Sequence, residues 1–321
     1  VLAVNALIDI SGLHYRYPGT AADALAGLDL SVAEGEFVAV VGPNGSGKST
    51  LARILGGLAV ASGGHRAAVC GHDLLTEPGR LAVRRDVGVL FQNPENQLVA
   101  ENVEEDIAFG LENLGLPASE IATRVDEMLA RFDLEDLRHR EPHLLSGGQK
   151  QRTALAGVLA IPRRALVLDE PTAMLDPAGQ VEVLGAVARE RENGLTIVLV
   201  TQEMDEVLGA DRVVALERGS AVFDGPPAEL FARPQLIADL SLGLPAAGEV
   251  GLALMQSGRR FVRTPLTIDE LLDELVGSGG TQLTLGGVSE HPSSADDPAH
   301  GRWEAHTAAD SPAPAGDGGE A

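Results

Sequence analysis

Short apolar runs bounded by glycine, proline or charge recur along the chain: FVAVVG (37–42), VGVLF (87–91), ALVLD (165–169) and TIVLVT (196–201). Runs that stay apolar without alternating with polar residues fit strands buried on both faces. Longer stretches with helical periodicity separate them. That order predicts an α/β fold with a largely parallel sheet over about residues 7–235, with a β-rich N-terminal part. Residues from about 93 to 160 interrupt the alternation and predict an inserted helical subdomain. Within it, Asn102 with Glu105 predicts a capping box opening the helix VEEDIAFGLENL, and a second helix runs from about Ala118 to Phe132. Residues 236–277 form a short extension. There Thr267 with Glu270 predicts another capping box, and Ile268, Leu271, Leu272, Leu275 and Val276 share one helical face. That face packs either on the protein's own core or on a partner. Residues 278–321, rich in Gly, Ser, Pro and Ala, predict disorder, with Trp303 incidental. No internal repeat is evident.

Composition narrows the classes. The chain has 321 residues, room for about two domains. Hydrophobic residues make up 44% but aromatics only 3%, so Val, Leu, Ile and Ala must fill the core. The formal net charge of -23 disfavours binding of nucleic acid or anionic lipid through a broad basic face. One cysteine, Cys70, cannot form an internal disulfide, which fits a reducing compartment. No apolar run approaches the roughly 18–20 residues of a membrane-spanning helix, and the N-terminal segment lacks the basic start of a secretory signal. Any membrane role is expected to come through a partner.

The strongest local signal is GPNGSGKST, Gly42-Pro43-Asn44-Gly45-Ser46-Gly47-Lys48-Ser49-Thr50. It follows a predicted strand and opens a predicted helix, the setting a phosphate loop requires. The glycines allow a tight turn that aims backbone N–H groups inward, and the helix N-terminus adds positive partial charge. Lys48 is expected to reach the β- and γ-phosphates of ATP, and the Ser49 hydroxyl to bind Mg²⁺. The run ALVLDEP ends in two carboxylates. Asp169 is expected to hold Mg²⁺ through its water shell, and Glu170 to polarise the attacking water as general base.

LSGGQKQR (145–152) closely resembles the signature motif of the ABC ATPases. Ser146 and Gln149 form an S-x-x-Q capping pattern and Gly147 and Gly148 leave the backbone open, implying a helix N-terminus that presents bare N–H groups to an anion. In that family the anion is the γ-phosphate of ATP held by a second ATPase subunit. The resemblance covers about residues 7–235 and implies further roles. Tyr17 stacks on adenine, with Tyr15 the weaker candidate. Gln92 contacts Mg²⁺ or the attacking water. Asp176, in AMLD (173–176), crosses the dimer interface. On the residues alone, Tyr17 reads equally as a core aromatic and Asp176 as an ordinary helix cap.

The segment 91–117, the run EPTAMLDP (170–177) and the extension ending LTIDELLDELV resemble the ATPases of energy-coupling-factor transporters. These import vitamins or transition-metal ions such as cobalt and nickel. The resemblance implies two ATPases, a transmembrane coupling subunit and a substrate-binding membrane subunit, with this chain peripheral on the cytoplasmic face of the cell membrane. From Glu95 to Glu112 the chain carries Glu95, Glu101, Glu104, Glu105, Asp106 and Glu112 with no Lys or Arg. Acid-on-arginine docking of a coupling helix at Glu104 or Glu105 is one reading; a solvated acidic face is the other.

One position departs from the family. Where a histidine usually follows the last long strand, this chain has Gln202. A neutral amide donates a hydrogen bond but carries no charge. Either Gln202 suffices beside Glu170, or this subunit forms a weaker site beside a stronger one in a non-identical partner. Two other function classes compete with a transport ATPase. A soluble ABC ATPase usually carries two motif sets or a coiled-coil insertion, and this chain has one set and no such insertion. A low-turnover nucleotide-binding regulator sits poorly with intact Lys48, Asp169 and Glu170.

Overall fold

The computed structural model describes residues 6–259, 261 and 264–277. The expected disorder of 278–321 and the isolated Trp303 lie outside the described residues. Strands β1 (Ala6–Tyr15) and β2 (Leu25–Ala33) open the described chain, and the first apolar run follows as β3 (Phe37–Val41), leading into helix α1 (Lys48–Leu55). A small hairpin, β4 (Arg66–Val69) and β5 (His72–Asp73), precedes α2 (Glu77–Asp86) and β6 (Val87–Leu90). Three helices follow, α3 (Val103–Asn113), α4 (Ala118–Arg131) and α5 (Gly147–Ala160), packed against one another. The alternation then resumes with β7 (Ala165–Asp169), α6 (Pro177–Glu192), β8 (Thr196–Val200) and the short α7 (Met204–Val207). A hairpin of β9 (Arg212–Glu217) and β10 (Ser220–Gly225) leads to α8 (Pro227–Phe231), α9 (Pro234–Asp239), α10 (Ala246–Gln256) and α11 (Ile268–Gly277).

Two sheets result. The smaller is antiparallel, in the order β2-β1-β4-β5. The larger runs β10-β9-β3-β8-β7-β6, parallel from β9 to β6, with β10 antiparallel at one edge. Every residue of β3, β7 and β8 is buried, because both faces of the central strands are covered. Phe37, Ala39, Val41, Leu166, Leu168, Ile197 and Leu199 face one hydrophobic core with α3, α4, α5 and α6. Val38, Val40, Val167, Val198 and Val200 face a second core with α1 and the smaller sheet. The apolar runs therefore read as unbroken because alternate residues serve different cores.

The register sets the function. Val40 and Asp169 both pair with Val200, so β3, β7 and β8 end side by side. The loops after these three strands emerge together at the carboxyl edge of the sheet, where ligands of open α/β sheets bind.

Two expected capping boxes need correction. Asn102 accepts a hydrogen bond from the Glu105 backbone N–H at 3.0 Å, but the capping there is one-way: the reciprocal half of a box is absent among the described contacts. The α11 stripe is only partly used. α11 packs on α10 with Leu271 buried, while Ile268, Leu272 and Val276 stay exposed, because one short helix covers a single ridge of the stripe. Its N-terminus is capped as expected on one side, Thr267 accepting from the Glu270 N–H, but the Glu270 carboxylate accepts from Leu266 N–H, one residue upstream of the cap.

Candidate active site

The phosphate loop joins β3 to α1. Gly42 and Gly47 hold φ of 143° and 108°, and a Cβ at either would lie 2.2 Å from the Leu216 carbonyl oxygen or 2.4 Å from that of Ala24. Only glycine fits there. Gly45, at φ 80°, has open space around it. Gly47 at the N-cap offers α1 no side-chain cap, which leaves its first N–H groups to a ligand. Lys48 is buried and its Nζ donates to the carbonyl oxygens of Gly42 at 2.7 Å and Pro43 at 3.1 Å. Burial lowers its pKa, against the opposing charges of Glu170 and Asp169. Ser46 is buried, with its hydroxyl unpartnered. Thr50 hydrogen-bonds Tyr17 at 3.0 Å, which fixes that half-buried ring beside the loop, edge-on to Tyr15 at a centroid distance of 4.9 Å.

The acid pair comes from the end of β7. Asp169 Oδ1 accepts a hydrogen bond from Ser49 Oγ at 3.0 Å, and burial raises the carboxyl pKa against that bond. Two hard oxygen donors thus stand side by side at the start of α1. With phosphate oxygens they make the set that magnesium takes, so these residues fit the ion. Glu170, one residue on, is held at φ 51°, a conformation that non-glycine residues seldom adopt. Both oxygens are engaged: Gln92 Nε2 donates to one at 2.7 Å and Gln202 Nε2 to the other at 2.6 Å. Gln202 Nε2 also reaches Asn44 Oδ1 of the phosphate loop at 3.0 Å. Three loops distant in sequence meet on one carboxylate.

The remaining predicted residues lie elsewhere. Ser146 and Gln149 form the expected reciprocal capping box at the start of α5, with bonds of 3.3 and 2.9 Å. Gly147 and Gly148 approach Met174 and Gly179, so the signature helix abuts the segment that follows the acid pair. The cleft at Glu170 is lined by Glu170, Thr172, Ala173, Thr201, Gln202 and Glu203, and by none of the signature residues. Asp176 is exposed and caps α6 through the Gly179 N–H at 2.8 Å, the plainer of its two readings within one subunit.

The acidic stretch behaves unevenly. Glu95 pairs with Lys150, Glu104 with Arg138 at 2.8 Å and His139 at 3.4 Å, and the buried Asp106 accepts from Val99 and Ala100 N–H. Glu101, Glu105 and Glu112 are exposed. A groove of about 690 Å³ lies here, lined by Glu95, Leu98–Asn102, His139, Glu141–His143 and Lys150. Its second wall, 139–143, was not legible in the sequence. It carries no motif, and only folding brings it opposite residues 98–102.

A family model described as ABC transporter matches residues 25–173. The energy-coupling factor transporter ATP-binding protein EcfA1 of Symbiobacterium thermophilum is 49% identical over 279 residues, spanning 84% of this chain and 97% of the relative. The chain belongs to the energy-coupling-factor transporter ATP-binding family. The relative from Clostridium novyi is 42% identical over 273 residues, again 84% of this chain and 97% of its own. Among solved structures, cbiO1 from Clostridium perfringens, described as part of the ABC transporter complex cbiONQ, aligns with a TM-score of 0.67 and 35% identity over 79% of this chain and 98% of that one. A dimeric ATP-binding cassette in a post-hydrolysis state with ADP and Pi aligns at 0.63 and 27% identity over 68% of this chain and 98% of that one. This energy-coupling-factor subunit is an ATPase that energises a membrane transporter. Among the described residues no helix is long and apolar enough to cross a membrane.

Proposed function

We propose that this ATPase drives import of a vitamin or a transition-metal ion such as cobalt or nickel, as one half of an ATPase dimer on the cytoplasmic face of the membrane. The observation that carries the dimer is the division of the site. Gln92 and Gln202 converge on Glu170, while the helix N-terminus at Ser146–Gln149, whose capping box leaves the Gly147 and Gly148 N–H groups to a ligand, lines none of that cleft. An N-terminus built to receive an anion is therefore complemented by ATP on a second ATPase subunit, across an interface that Asp176 and the exposed Met174 would enter.

Within the subunit, the amides of Gly45–Ser49 and the Lys48 ammonium hold the β- and γ-phosphates, and Tyr17 stacks on the adenine. Lys48 first leaves the Gly42 and Pro43 carbonyls. Glu170 accepts the proton of the attacking water; Gln92 and Gln202 orient its carboxylate. Ser49, Asp169 and Gln92 would hold Mg²⁺, which when bound neutralises charge on the phosphates. Gln202 is neutral, so its contribution is orientation, and the bond to Asn44 ties that orientation to the loop that senses nucleotide.

The groove beside α3 supports the membrane partners. Glu101 and Glu141 line it with Leu98 and Val99, a surface suited to an amphipathic coupling helix bearing arginine. Since Glu104 is held by Arg138, the exposed Glu101 is better placed than Glu104 for this contact, with Glu141 beside it 3.4 Å from His143. A separate membrane subunit would select the solute. Affinity capture of the protein from native membranes in mild detergent tests the assembly. Co-recovery of a second ATPase, an integral coupling protein and a solute-binding membrane protein is expected. Recovery of soluble partners alone, with ATPase activity intact, would overturn it.

A further inference from the structure

One carboxyl group lies behind the pair Glu170 and Gln202. Glu206, on α7 just beyond β8, is 8% exposed. Its Oε1 accepts a short hydrogen bond from the Thr172 hydroxyl, and Glu206 sits in the turn that continues Thr201 and Gln202, its N–H donating to the Glu203 carbonyl at 3.2 Å. Both threonines are 1% exposed. Thr172 lies two residues beyond Glu170, and Thr201 immediately precedes Gln202.

Each threonine is anchored in turn. Thr201 N–H donates to Val40 O at 3.2 Å, at the end of β3, and its Oγ1 accepts from Glu203 N–H at 2.9 Å. The Thr172 carbonyl accepts from Leu175 N–H at 3.0 Å, in the turn that runs to Asp176. Glu206 Oε2 is buried without a hydrogen-bond partner. Burial, with the like charges of Glu203 and Glu170 adding to it, raises the carboxyl pKa and favours the neutral form. A buried carboxyl costs desolvation that an apolar side chain of similar size would not. Its contribution is the acceptor oxygen that it offers to Thr172 from the segment continuing Gln202.

We propose that Glu206 is a positioning residue for ATP hydrolysis, tying the root of the 170–176 segment to the root of Gln202. The partner-facing turn at 173–176 and the switch glutamine then move as one, and the 2.6 Å contact between Gln202 and Glu170 is kept. The inference rests on reading Glu170 and Gln202 as the hydrolytic pair.

The test is steady-state ATP hydrolysis by the full chain in its purified membrane complex, with ATP affinity measured on the same samples. Glu206→Gln keeps the acceptor oxygen and is expected to hold kcat within about threefold. Glu206→Leu removes it and is expected to lower kcat roughly 10- to 100-fold, as displaced reacting groups do. KM for ATP should change by less than about twofold, since binding is not the lost step. Thr172→Val removes the donor without touching Glu206, is expected to lower kcat in the same direction, and carries the test if the leucine variant fails to fold. Unchanged kcat in Glu206→Leu and Thr172→Val, a loss carried by KM, or a glutamine variant as slow as leucine would each overturn the proposal. Glu170→Gln in the same assay separates the two levels. If it hydrolyses normally, the hydrolytic pair is misread. If it is inactive while Thr172→Val and Glu206→Leu run at full rate, the tether alone is wrong.

Discussion

Glu170 stands at the meeting point of three loops, its two oxygens taken by Gln92 and Gln202. Removing a positioned general base costs about 10²- to 10⁴-fold. Glu170→Gln should lower turnover by that order and leave ATP-bound dimers that persist, seen as a dimer peak in size-exclusion chromatography with ATP. Gln202 donates a hydrogen bond where a charged donor would do more, and one such donor is worth roughly 10²–10³ in rate. Gln202→His should therefore raise turnover of the assembled complex; an unchanged rate would mean that the neutral amide is not limiting. Cys70 gives a prediction on stability. Burial pushes its thiol from 9.0 up to about 11. The folded chain favours the protonated thiol, so this contribution is intact below about pH 9 and is lost as pH rises through about 11, worth about 2–3 kcal/mol over that window. The thiol is 6% exposed. Iodoacetamide at pH 8 should leave it unmodified in the native protein and label it fully in urea, read by intact mass.

At the scale of elements, local capping signals were legible and their partners were not. The Ser146–Gln149 box forms in both directions because both side chains lie within one turn. The Asn102–Glu105 pattern forms in one direction only. The neighbouring Asp106, read from the sequence as one more surface acid, is buried and satisfies the N–H groups of Val99 and Ala100 in the loop that enters α3. Three-residue spacing is local chemistry; the burial of Asp106 depends on α3 packing against α4 and α5. Asp106→Ala should cost about 1–3 kcal/mol in urea unfolding because two loop N–H groups lose their acceptor, and Asp106→Asn, which keeps an acceptor oxygen, should recover most of it.

At the scale of the molecule, the net charge of -23 is not spread evenly in its effect. Glu104 and Asp106 are engaged within the chain and do not line the groove, while Glu101 lines it beside Glu95, which pairs with Lys150, and Glu141, which lies 3.4 Å from His143. Reversing two groove acids, Glu101→Lys with Glu141→Lys, should weaken capture of the membrane subunits at physiological salt while leaving thermal stability within about 0.5 kcal/mol, as for surface changes. Basal ATP binding by the isolated subunit is the control for the fold. The exposed part of the α11 stripe, Ile268, Leu272 and Val276, shows the same limit from the other side: periodicity gives the face, and the neighbouring helix decides how much of it is covered.

The sequence by itself determined the α/β alternation, the phosphate loop, the acid pair, the signature helix and the family. Each of these is written in contiguous residues whose spacing dictates a local geometry. It also pointed to Gln92 and Gln202 as site residues, through resemblance. What only the tertiary structure decided is which groups touch. The parallel register that ends β3, β7 and β8 together, with β6 alongside β7, puts Asn44, Gln92 and Gln202 around Glu170 and places Glu206 behind them, and the packing of the helical region sets residues 139–143 opposite 98–102 to make a groove. These contacts join residues tens of positions or more apart, and no local periodicity encodes a pairing that arises only when strands align and helices pack across them.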